Sequence, residues 1–138
     1  MPGHDEVGLA VPLSEDFSPM ARLDGRVAIV TGGACGIGRH YSLALAAEGA
    51  RVMIADIADG TELAAEIAKR HGANSVTSQA VDVSDENSVK RMVAATIERF
   101  GRIDILVNNA ALFAPLREQP FAEIDTELWD RVMAVNVR

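Results

Sequence analysis

The stretch Val27-Ala28-Ile29-Val30-Thr31-Gly32-Gly33-Ala34-Cys35-Gly36-Ile37-Gly38 decides the fold. Its first four residues are apolar without alternation. A strand with water on one face alternates apolar and polar residues, so an unbroken run marks a strand covered on both faces, the habit of parallel sheets between helices. The glycines that follow let the backbone bend sharply and approach an anion with no Cβ in the way. Free N–H groups at the start of the next helix, with the positive end of its dipole, complete an anion site. A glycine cluster alone is equally a tight loop. The strand before it and the helix after it give the phosphate reading its weight.

Outward from this turn the pattern repeats. Val52-Met53-Ile54-Ala55 and Ile105-Leu106-Val107 are further continuous apolar runs, and a third, about Val76 to Val83, is more polar and suits an edge. Between them lie helical segments, the clearest carrying Val89, Met92, Val93, Thr96, Ile97 and Phe100 at steps of three and four. Asp59 with Glu62 predicts a capping box, and Ser84 predicts a cap for the following helix. Gly49, Gly72 and Gly101 each follow a helical pattern, where glycine turns the chain left-handed. Leu128, Trp129, Val132, Met133 and Asn136 mark a last helix, opened by Asp125 or Thr126 and running to Arg138 with no closing glycine or proline. The predicted fold is therefore α/β: a Rossmann-type, doubly wound parallel sheet of strand order 3-2-1-4, truncated after about four strands. Its edge at Val107 is open and apolar, which invites aggregation or pairing and predicts a marginally stable, inactive 138-residue chain.

The bulk numbers limit the function classes. One domain is all that 138 residues allow, and 49% hydrophobic residues suit a globular chain. A net charge of −7 disfavours nucleic acid as a partner. No apolar run approaches the roughly 20 residues that span a bilayer, so no membrane partner is expected. The first 22 residues hold four acidic residues, three prolines and no early basic cluster, which excludes a secretory signal. They are read as a flexible arm, with a docking arm for a partner subunit as the alternative, and residues 23–138 as the nucleotide-binding domain. The single cysteine, Cys35, permits no internal disulfide and fits a reducing, cytoplasmic compartment. His4, His40 and His71 have no metal-ligand spacing, so no metal is predicted.

The glycine spacing is Thr-Gly-x-x-x-Gly-x-Gly, and four further matches fall in order: Asp56 closing the second strand, Asp82-Val83 closing the third, Asn108-Asn109-Ala110 closing the fourth, and Asn136 in the helix beyond. With these, residues 23–138 resemble the N-terminal, cofactor-binding portion of the short-chain dehydrogenase/reductase family. The resemblance implies an oxidoreductase that interconverts a secondary alcohol and a ketone by hydride transfer. It assigns the pyrophosphate to Gly32, Cys35, Gly36, Ile37 and Gly38, and the adenine border to Asp82 and Val83. Asn109 and Ala110 would line the cofactor, and Asn136 would hold a water in a proton relay. Where the family usually has glycine next, this chain has Ala111, which a positive φ would strain.

Asp56, followed by Ile57, selects the cofactor. A carboxylate at the carboxyl edge of the sheet accepts hydrogen bonds from the ribose hydroxyls of NAD and repels the 2′-phosphate of NADP. The expected preference for NAD is about tenfold to hundredfold. Its plainer reading is a solvated strand-end or cap carboxylate.

In related enzymes the chemistry belongs to a Tyr-x-x-x-Lys pair and an upstream serine. The only tyrosine here is Tyr41, four residues before Leu45, and it is expected to pack rather than to act as an acid. Those groups are therefore expected beyond Arg138. The apolar loop Leu112 to Leu116 mildly favours a hydrophobic alcohol over a sugar, and the complete protein is expected to be a dimer or tetramer. Two other classes stay open: a non-catalytic NAD-binding module and an interaction fragment.

Overall fold

The computed structural model describes residues 21–113 and 116–137. The expected arm therefore lies almost wholly outside the described residues, as do Ala114, Pro115 and Arg138. The chain runs β1 (Val27–Thr31), α1 (Gly36–Ala47), β2 (Arg51–Asp56), α2 (Thr61–His71), β3 (Val76–Ala80), α3 (Glu86–Phe100), β4 (Ile105–Val107), one 3-10 turn (Phe121–Glu123) and α4 (Thr126–Asn136). The strands form one parallel sheet in the order β3-β2-β1-β4, as the alternation of strand and helix predicts.

Successive residues of a strand face opposite ways, so the unbroken runs fill two cores at once. Val30, Val52, Ile54 and Val76 pack with Leu63 and Ile67 of α2, while Ile29, Met53 and Ala55 pack with Val81 and Met92. Each such side chain withdrawn from water contributes about 1.5–3 kcal/mol. The row of α1 that lies against the sheet is Gly38, Ser42 and Ala46, small residues that let the helix approach closely. Tyr41 falls off that row and is exposed. The expectation that it packs is corrected accordingly.

Several ends differ from the sequence reading, each for a local reason. β3 stops at Ala80 because its partner β2 stops at Asp56, the last paired position. The cap of α3 is Asp85, whose carboxylate accepts from the N–H groups of Asn87 and Ser88. Ser84 instead donates to the Asp82 carboxylate, so the Ser84 cap is corrected. The Asp59–Glu62 box does not form, because Gly60 takes the cap position and Asp59 accepts from Thr61 N. Gly49, Gly72 and Gly101 all have positive φ, as expected. The buried row of α3 is Ser88, Met92, Thr96 and Phe100, which leaves Val93 and Ile97 of the apolar stripe exposed. The last helix ends at Asn136, where the side chain ties back to Leu112, rather than running on to Arg138.

Among the described residues no helix is long and apolar enough to cross a membrane.

Candidate active site

The glycine turn joins β1 to α1 at the carboxyl edge of the sheet, where open α/β sheets bind their ligands. Gly32 has φ +62, and a Cβ there would sit 3.0 Å from Ala110 Cα and Asn109 Nδ2. A Cβ on Gly38 would overlap the Gly32 carbonyl oxygen, so only glycine lets α1 start this close to the strand end. Gly36 faces open space, with nothing within 4 Å of a Cβ placed there. Cys35 occupies the N-cap of α1 in extended conformation and makes no side-chain cap. The first N–H groups of a helix have no partner within the helix, and among the described residues none accepts from Gly36, Ile37 or Gly38. A cradle with free donors and no Cβ fits a pyrophosphate.

Three side chains hold this turn. Ser42, fully buried, has its hydroxyl 3.1 Å from the carbonyl oxygens of both Gly33 and Gly38. Asn109 Nδ2 donates to the carbonyls of Thr31 (3.0 Å) and Gly32 (3.1 Å). Asp56, only 8% exposed, accepts from Ala34 N through Oδ2 and from Ala58 N through Oδ1, both at 2.9 Å. Ile57 beside it is exposed. Arg39, the basic residue next to the turn in sequence, is engaged by Glu66 at 2.6 Å.

Asp82 follows β3 and accepts from Ser84 Oγ (2.6 Å) and Ser84 N (2.9 Å) through Oδ1. The Ser84 hydroxyl, then its backbone N–H, hold the Asp82 carboxyl below its ordinary range. Val83 is half-buried and lines a cleft of about 310 Å³ with Thr31, Asn108, Ala110 and Asn136. At the base of that cleft the Thr31 hydroxyl donates to Val107 O and accepts from Asn109 N and Ala110 N. Asn136 Oδ1 accepts from Leu112 N (2.8 Å), and its Nδ2 donates to Leu112 O (3.3 Å). No described residue other than glycine has a positive φ, so Ala111 is unstrained.

The predicted positions thus gather along one edge: the turn, Asp56, Asp82-Val83, Asn109-Ala110 and Asn136. The sequence reading missed Ser42 as a support of the turn and Thr31 as the tie between the end of β1 and the segment after β4. Ser42 had a visible signal, since it stands four residues after Gly38 on the small-residue row of α1. His40 and His71 are exposed and lie outside the cleft, and among the described residues no group of three His, Cys, Asp or Glu could hold a metal.

Residues 26–138 match the family described as short chain dehydrogenase. The chain belongs to that family. It is 48% identical over 116 residues to a sorbitol dehydrogenase of Cereibacter sphaeroides, covering 84% of this chain and 43% of that protein. It is 43% identical over 130 residues to a D-threitol dehydrogenase of Mycolicibacterium smegmatis, covering 93% of this chain and 47% of that one. A crystal structure of a short chain dehydrogenase from Mycobacterium avium superposes with a TM-score of 0.76 at 34% identity, covering 84% of this chain and 42% of that one. The chain therefore spans less than half the length of these relatives. The family typically binds a nicotinamide cofactor, and the edge just described lies where open α/β sheets hold such a ligand.

Proposed function

We propose that this chain supplies the cofactor half of an NAD-dependent oxidoreductase that interconverts a secondary alcohol and a ketone. The observation that carries the reading is the buried Asp56 carboxylate beside the glycine turn, with the basic residue that follows the turn in sequence, Arg39, bound to Glu66. The turn amides at Gly36, Ile37 and Gly38, with Gly32 and Cys35, would hold the pyrophosphate. Asp56 would accept the ribose hydroxyls beside Ile57, Asp82 and Val83 would border the adenine, and Asn109 and Ala110 would line the remainder. When bound, NAD supplies the acceptor for the hydride of the alcohol carbon.

The Asn136 amide is committed to Leu112 at both ends, which leaves its main-chain carbonyl, in the last turn of α4, to hold a water. In this reading the tyrosine, lysine and serine of the chemistry would come from the portion of the relatives' length that this chain does not span. Relatives named for sorbitol and D-threitol favour an alcohol substrate bearing several hydroxyls over the hydrophobic alcohol that the loop at Leu112 suggests. The exposed apolar side chains of α4, Trp129 and Met133, favour a homo-oligomer, and the single cysteine favours the cytoplasm.

Calorimetry on the full-length protein with NAD and NADP, followed by turnover with sorbitol and threitol, tests this reading. NAD is expected to bind at least about tenfold more tightly than NADP. Tighter NADP binding would overturn the cofactor assignment, and NAD binding without turnover of any secondary alcohol would turn the proposal to a non-catalytic module.

A further inference from the structure

Asp56 makes two bonds of different kinds. The one to Ala58 N spans two residues and is the ordinary way an aspartate finishes a strand and starts a turn. The one to Ala34 N spans 22 residues and reaches into the glycine turn. Ser42 and Asn109 hold that turn by its carbonyls, at Gly32, Gly33 and Gly38. Among the described residues only Asp56 holds Ala34 by its N–H. The two loops also touch beyond the carboxylate: a Cβ on Gly60 would lie 3.0 Å from Ile54 Cγ2 and 3.7 Å from Ala34 Cβ, so the loop after β2 sits against the turn. The carboxylate is nearly buried, and bonds from N–H groups to a buried charge are about twice as strong as neutral ones.

We infer that Asp56 is a positioning residue for the phosphate turn, formed up before any nucleotide arrives, in addition to being the acceptor for the ribose. This deepens the reading of the site as an NAD site and rests on it for the ribose part alone. Two consequences follow from the geometry. The Ala34 N–H is spent on Asp56 and is withheld from a 2′-phosphate, so discrimination against NADP comes from the occupied donor as well as from like charge. A substitution of Asp56 intended to admit NADP also loosens the pyrophosphate cradle, so it loses affinity for both dinucleotides.

Two measurements on the full-length protein test this, using wild type, D56N and D56A. The first is hydrogen exchange at Ala34 and at Gly36–Gly38 without nucleotide. In wild type the Ala34 amide is expected to exchange at least about tenfold more slowly than those of Gly36–Gly38, and to lose that protection in D56A. Equal exchange across the turn in the wild type overturns the inference, whether or not either variant folds. The second is the affinity for ADP and for 2′,3′-dideoxy-ADP, which lacks the hydroxyls Asp56 would accept. If Asp56 positions the turn, D56A weakens dideoxy-ADP by about tenfold, with D56N between the two. If dideoxy-ADP binds wild type and both variants alike while ADP loses affinity, Asp56 acts through the ribose only. A wild type that prefers NADP to NAD would defeat the cofactor assignment and leave the exchange result to stand by itself.

Discussion

β1 and β4 are paired neighbours in one sheet, yet their surroundings are opposite. Val27, Ala28, Ile29 and Val30 of β1 are at most 2% exposed, whereas Leu106 at the centre of β4 is 54% exposed. The same contrast holds for the helices. Leu63 and Ile67 of α2 are buried in the core, while α4 has no buried residue and presents Trp129 and Met133 to solvent. β1 has a strand on each side and helices over both faces. Among the described residues β4 has no strand beyond it. An apolar run specifies a buried strand only when enough chain surrounds it to do the burying. The cofactor edge follows the boundary between the two regions: the turn and Asp56 rest on the finished side, and Asn109 and Asn136 on the open one.

The largest effect that would break this contrast comes from matched truncations. Met53 of β2 is 1% exposed, and Met53→Ala in the 138-residue chain should cost about 2–5 kcal/mol, the range for emptying a packed core. Leu106→Ala should cost less than about 1 kcal/mol, because little of the side chain leaves a packed site. Urea denaturation compares them. Equal losses would mean that β4 is as well packed as β2 and that the contrast is false.

Thr31 lies on the boundary itself. Its hydroxyl accepts from Asn109 N and Ala110 N and donates to Val107 O, so one oxygen ties the end of β1 to the end of β4. Thr31→Val keeps the shape and strands two N–H groups, each worth about 1–3 kcal/mol if buried and unpaired. A net loss of about 2 kcal/mol is expected, with NAD affinity down about tenfold as Asn109 loses its main-chain anchor to Thr31 and keeps only the amide bonds to the carbonyls of residues 31 and 32. A stability loss with unchanged NAD affinity would show that the two regions are joined without sharing the site.

How far each feature was legible follows from how local its cause is. The doubly wound sheet could be read because its signals are local: unbroken apolar runs, glycine punctuation and helical spacing. Gly38 and Asp56 could be placed because a tight turn and a strand-end carboxylate each have a short-range signature. The Asp56–Ala34 bond could not, since its partners are 22 residues apart and one is a backbone N–H, which carries no residue identity. Thr31 stayed unmarked for the same reason, its partners being main-chain groups at 107, 109 and 110. The misread caps at Ser84 and Asp59 turned on single-residue shifts that competing acceptors decide. Tyr41 is exposed rather than packed because the inward row of α1, Gly38, Ser42 and Ala46, admits only small side chains.

The smallest effect concerns Asp104, where β4 first meets β1. Its carboxylate accepts from Arg102, from Val27 N at 2.9 Å and from Arg26. The Arg102 hydrogen bond first, then the Val27 N–H, lower the Asp104 pKa from its ordinary 3.8 to about 2. A folded-state pKa below the unfolded one means that the unfolded chain binds the proton more readily. The contribution of Asp104 is therefore complete above about pH 4 and disappears as the pH falls through about 2. Asp104→Asn removes that dependence while retaining one acceptor for Val27 N. Thermal unfolding between pH 2 and 6 should give a variant whose midpoint falls less steeply than that of the wild type across this acid window. Parallel curves would mean that the carboxylate does not hold β4 to β1, and that the open side of the sheet is joined to the closed side by backbone pairing, Thr31 and Asn109.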